Sequence, residues 1–192
     1  GGIFDHFLGY TKIPILGFLQ LSFVEEFDLD NEANIPTYFA GLLLLFSSII
    51  IWVIAYIERE NNSSFYGHWF GLSLVFAFLS VDEVASLHER TTQPVRQLLG
   101  VEGIFYYAWT IPVAVGLLLL GVVYARFLWH LQARWKGLFA VSAFLYVGGA
   151  LGVELISGWY DSQGGGASFT YTLITTVEET FEMAGASVFI YA

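Results

Sequence analysis

Five stretches of this chain are mostly apolar over about 20 residues each, the length an α-helix needs to cross the hydrocarbon core of a bilayer. They run over about residues 36–57, 67–89, 105–131, 137–160 and from about 169 to the end. Within a bilayer, backbone N–H and C=O groups must be satisfied inside the segment, so runs of this length become helices. The polar surface of a soluble domain is missing, since 12% of the 192 residues are charged, about half the usual share. The connections ERENNSSFY, RTTQPVRQLLGVEG, QARWK and DSQGGGAS are short, and short connections make successive helices antiparallel neighbours. The expected fold is all-α: an integral membrane up-down helical bundle of five transmembrane helices over residues 36–192. Pro36 suits a first helical turn, whereas Pro112 is expected inside the third helix, where it would kink it.

Residues 1–35 read differently. Ile13, Leu16, Leu19, Phe23 and Phe27 recur near helical spacing among Asp5, Glu25, Glu26, Asp28, Asp30 and Glu32. This pattern fits an acidic extramembrane or interfacial segment, or the end of an earlier helix. The chain begins at Gly1 and stops at Ala192 inside an apolar run, and is read as incomplete at both ends. Lys/Arg bias places residues 1–35 outside by a narrow margin, with Arg59, Arg126, Arg134 and Lys136 inside.

Charge and cysteine usage exclude several classes. Seven Lys+Arg against seventeen Asp+Glu leave no basic surface for nucleic acid. The absence of cysteine removes disulfides, thiolate metal sites and Cys nucleophiles. No P-loop, GxGxxG or Ser-His-Asp arrangement is present. The Asn61-Asn62-Ser63 and Asn62-Ser63-Ser64 sequons fall in a short inner loop.

The acids inside the expected helices carry the functional argument. Asp82, Glu83 and Glu89 lie on the second helix, Glu154 on the fourth, and Glu178, Glu179 and Glu182 on the fifth. Each costs roughly 2.5–3.5 kcal/mol to insert, so seven unpaired acids would cost about 15–25 kcal/mol. At about 1.5 Å per residue all three groups fall between one interface and the midplane. At about 100° per residue Asp82 and Glu89 share a face, and Glu178, Glu179 and Glu182 span about 100° of another. Glu154 shares its face with Ala150 and Gly158, small residues that allow close packing. The three stripes are therefore expected to converge.

Clustered carboxylates suit a hard divalent cation such as Mg, Ca or Mn, and iron accepts carboxylate with imidazole. The Glu-x-x-His spacing of di-iron bundles is absent. His88 sits about 140° from Glu83 on a continuous helix, and joins only if the helix unwinds, expected near Thr91–Pro94. The expected metal set is Asp82, Glu83, His88, Glu89, Glu154, Glu178, Glu179 and Glu182. The alternatives are a proton or ion pathway, and neutral acids bonded to one another and to Ser86, Ser157 and Thr175. His88-Glu89-Arg90 also reads as a helix-end charge cluster. His68 and His130 lie at the opposite end beside Trp69 and Trp129, where an aromatic belt accounts for them better than a haem pair.

The strings FDLDNEANIPTYFAGLLLL, FLSVDEVASLHER and VEETFEMAGASVFIYA resemble a family of uncharacterised bacterial multi-pass membrane proteins. The resemblance covers most of the chain from Phe27. It implies a small helical bundle in which Glu32, Asn34, Asp82, Glu83, His88, Glu89, Glu179 and Glu182 matter, and implies no activity.

Three functional readings follow. The first is an intramembrane, carboxylate-rich site for Fe, Mn, Ca or Mg, with or without redox chemistry. The second is an accessory subunit of a larger respiratory or photosynthetic membrane complex. The third is a proton- or cation-coupled transporter. The lipid bilayer is the expected partner, with other membrane subunits under the second reading. The expected location is a bacterial inner membrane or an equivalent energy-transducing membrane.

Overall fold

Asn34 opens the first helix: its side-chain oxygen accepts from the Thr37 backbone N–H at 3.1 Å and from the Thr37 hydroxyl at 3.0 Å. This cap satisfies a donor that a helix start otherwise leaves unpaired, and Pro36 occupies the first turn as expected. The structure, a computed structural model, describes residues 34–166 and 168–192. The expectations for residues 1–33, including the amphipathic pattern and Glu32, lie outside the described residues.

The described elements are α1 (Ile35–Glu60), α2 (Tyr66–Ala85), α3 (Leu87–Leu99), a 3-10 turn (Gly103–Phe105), α4 (Thr110–His130), α5 (Ala133–Val147), a π-helical stretch (Gly148–Val153), α6 (Glu154–Ser162) and α7 (Phe169–Tyr191). No strand occurs among the described residues. Among the described residues four runs are long and apolar enough to cross a membrane: α1, α2, α4 and the continuous Ala133–Ser162 rod. The fifth expected span, α7, has 23 residues, but Glu178, Glu179 and Glu182 set it apart from the other four.

The packing is inverted relative to a soluble protein. Leu118, Val122 and Phe144 are more than 70% exposed, whereas Ser47 and Ser157 are fully buried. Large apolar side chains on the outside suit lipid, and small polar ones between helices suit close packing. Ser48 Oγ donates to the Ser73 carbonyl and Ser80 Oγ to the Gly41 carbonyl, both at 2.8 Å, joining α1 to α2. Ser142 Oγ donates to the Gly185 carbonyl at 2.8 Å, joining α5 to α7. Glycine is required in that seam: a Cβ on Gly185 would lie 2.6 Å from the Tyr146 nitrogen, and one on Gly149 would lie 2.8 Å from the Glu178 carbonyl.

Three expectations are corrected. The second helix does not run on to Glu89; it ends at Ala85, and Ser86 takes a left-handed conformation with φ +50°. The connection after it is not a loop. It forms α3, which continues through Pro94 and ends on left-handed Gly100. No residue of α3 is buried, so the carbonyl that Pro94 leaves without its helical partner is not sealed inside the bundle. Pro112 kinks nothing, because α4 begins at Thr110 and places it in the first turn, where its missing N–H costs little.

Candidate functional site

The α2–α3 break is organised by Asp82. One carboxylate oxygen accepts the His88 backbone N–H at 3.0 Å, and the other accepts from His88 Nδ1 at 2.8 Å. Left-handed Ser86 turns the chain so that a residue six positions on returns to Asp82. His88 thereby joins the acids by a break at Ser86, five residues before the stretch where unwinding was expected. Burial alone would lower the His88 pKa. The hydrogen bond to Asp82, together with the charges of Asp82, Glu154 and Glu89, holds it above the ordinary imidazole value.

From His88 the contacts pass to the helices opposite. Its ring lies against Trp109, with centroids 4.6 Å apart. Trp109 Nε1 donates to Glu154 Oε1 at 2.8 Å, and Ser157 Oγ contacts Glu154 Oε2 at 3.0 Å and Glu178 Oε2 at 3.5 Å. Ser157 Oγ thus lies between the carboxyl groups of Glu154 on α6 and Glu178 on α7. The π-helical stretch immediately precedes Glu154. Such stretches widen a helix by one residue per turn and concentrate at functional sites.

Deeper in the bundle, Glu182 interacts electrostatically with Glu83, Glu179, Glu154 and Asp82, and Tyr146 with Glu182 and Glu83. Nearer the end of the bundle, the Tyr107 hydroxyl donates to Asp161 at 2.9 Å and meets the Tyr171 hydroxyl at 2.8 Å. Burial, and then the bond to Tyr171, push the Tyr107 pKa up, which keeps that hydroxyl neutral and able to donate. Tyr107, Trp109, Asp161 and Tyr171 were not singled out by spacing. The signal for two of them was the aromatic run Phe105-Tyr106-Tyr107-Ala108-Trp109, whose polar tips need partners when buried.

One partly open cavity of 1490 Å³ is lined by all eight residues of the expected metal set. Glu89 is exposed, whereas the other seven are half-buried. The same cavity continues past Phe76, Leu79, Leu117 and Leu120 to Phe127, Trp129 and Lys136 at the far end. Among the described residues Lys136 is the only lysine or arginine lining it, and its ammonium reaches the Trp129 carbonyl at 3.3 Å. Among the described residues, no three His, Asp or Glu side chains converge closely enough to hold a metal ion as they stand. The acids surround a chamber and do not close on a point.

At that far end, His68 and His130 both pack on Phe65, with centroids 5.4 and 4.8 Å apart, and His68 stacks on Phe127 at 5.6 Å. Aromatic packing accounts for both imidazoles. A family described as a domain of unknown function (DUF8692) matches residues 11–192 of this sequence. No curated protein and no solved structure matches it.

Proposed function

The chain belongs to the DUF8692 family, whose function is unknown, and on the geometry of its chamber we propose that it is an integral membrane protein that binds a hydrated divalent cation within one half of the bilayer. The observation that carries this reading is the lining of the chamber. Asp82 and Glu83 on α2, Glu154 on α6, and Glu178, Glu179 and Glu182 on α7 share one space, and among the described residues the only Lys or Arg lining it is Lys136 at the opposite end. Carboxylates at membrane depth need a compensating positive charge, and a hard divalent cation supplies it. Magnesium-like ions keep several waters and need only one or two carboxylates directly. A roomy chamber without three converged ligands fits such an ion better than a closed cage. Asp82 on His88 Nδ1 fixes that ring in the way a carboxylate commonly orients a metal-binding imidazole.

A second reading, a proton-holding carboxyl network, is favoured by Ser157 Oγ, which lies within reach of both Glu154 and Glu178. Crossing of the whole membrane is not supported, because the chamber turns apolar beyond the acids. Element analysis of the purified full chain separates the two readings. The cation reading predicts one or two Mg, Ca, Mn or Fe per chain, lost in Glu182→Gln and Glu83→Gln proteins that still fold. A metal-free chain that also fails to take up added Mn²⁺ contradicts it and leaves the proton network.

A further inference from the structure

The cation reading uses only the acidic end of the chamber, and the rest has its own architecture. The volume of 1490 Å³ exceeds the roughly 300–1,000 Å³ of ordinary small-molecule pockets. One wall is α4, which is pinned at its two ends. At the acidic end Trp109, just before α4, bonds Glu154. At the other end the Tyr124 hydroxyl donates to the His68 carbonyl at 2.8 Å, and Phe127 packs edge-on against Trp69 with centroids 4.9 Å apart. Between these pins lie about 15 residues, or about 22 Å of helix. Over that length Val113, Leu117 and Leu120 of α4 face the chamber opposite Phe76 and Leu79 of α2 and Phe139 of α5.

We propose that this chamber binds a slim lipid-soluble hydroxyaryl molecule, a quinol with an apolar tail, with the tail along α4 and the hydroxyls on the carboxylate end. Hydrogen-bonding complementarity, with aromatic walls beside the acceptors, points to the head group. Carboxylate oxygens accept hydrogen bonds and repel anions, so a phosphate or fatty-acid head is disfavoured there, whereas phenolic O–H groups find acceptors at Glu154, Glu178 and Glu182. Trp109, Tyr107 and Tyr171 line the same end and offer aromatic faces and edges to a flat ring. The length and apolar lining of the remainder match a single hydrocarbon chain. The proposal concerns binding alone; it uses Glu154, Glu178 and Glu182 in the metal-free chamber, where a bound cation would compete with the hydroxyls.

The test uses the full chain in phosphatidylcholine nanodiscs, with and without EDTA. The probe is 2-decylhydroquinone, and its dimethyl ether is the control with the same tail and no donors. Saturable binding of the hydroquinone is expected in EDTA, where the ether should bind more weakly by about tenfold or more for the lost bonds to the carboxylates. Leu120→Trp should abolish binding of the hydroquinone while leaving the thermal transition and Mn²⁺ uptake unchanged. Should Leu120→Trp not fold, Gly121→Phe serves the same purpose, since a Cβ there meets no atom within 4 Å. Equal binding of hydroquinone and ether, indifference to a folded chamber-filling variant, or displacement by phosphatidylglycerol overturns the proposal.

Discussion

The α5–α7 seam and the α4 wall are both built from apolar membrane-length helices, yet they pack in opposite ways. In the seam, Gly149, Gly185 and Ser142 let backbone approach backbone, and a serine hydroxyl crosses to a carbonyl. The middle of α4 presents Val113, Leu117 and Leu120 and stands off, so that the space beside it remains open. Lipid is as apolar as leucine and gives helices no hydrophobic reason to associate. Association therefore follows small residues and polar bonds, and a chamber persists where a helix has these only at its ends. The seam carries Glu178 and Glu182, while the α4 side carries the pins.

Breaking the seam should have the largest effect. Gly185→Leu places a side chain where a Cβ would already sit 2.6 Å from the Tyr146 nitrogen. Destabilisation of about 3 kcal/mol or more is expected, read as loss of the folded fraction in detergent. Trp109→Phe removes the donor to Glu154 at the acidic pin, an expected cost of about 1–3 kcal/mol, and should raise hydrogen exchange at the start of α4 before the seam responds. Tyr124→Phe removes the opposite pin, a hydroxyl-to-carbonyl bond worth about 0.6 kcal/mol in a membrane protein, and a shift in thermal midpoint of no more than a few degrees should result. An equal response of seam and wall to all three would remove the distinction between them.

A shallower effect is expected from pH. His88 is held above its ordinary value of 6.5 by Asp82, Glu154 and Glu89, against burial. The folded state holds the imidazole proton more tightly than the unfolded one, so this contribution is complete below about pH 6.5. It is then lost as pH rises through the folded-state pKa. Thermal unfolding should show a decline over that window, and Asp82→Asn should flatten it.

Much of this arrangement was legible in the sequence because membrane packing has few free variables. Apolar length located the helices, and the expected convergence of the acids of α2, α6 and α7 is met only so far as they line one space without closing on a point. The break at Ser86 was not legible, because a left-handed serine carries no pattern that distinguishes it from a helical one. It follows from Asp82 reaching forward to His88, a tertiary choice. Pro94 misled for the opposite reason: an exposed helix tolerates an unpaired carbonyl. Asp161 and Tyr107 escaped notice because their bond joins segments 54 positions apart, and no local spacing encodes it.

The central claim is that the acids lining the chamber bind a divalent cation together. Manganese electron paramagnetic resonance on the metal-stripped full chain tests it most directly. The account predicts saturable loss of the free Mn²⁺ signal at one or two ions per chain, abolished by Glu182→Gln and retained in Glu102→Gln, whose carboxyl does not line the chamber. A free-Mn²⁺ signal that grows linearly from the first addition, in a chain whose thermal transition is intact, would contradict it.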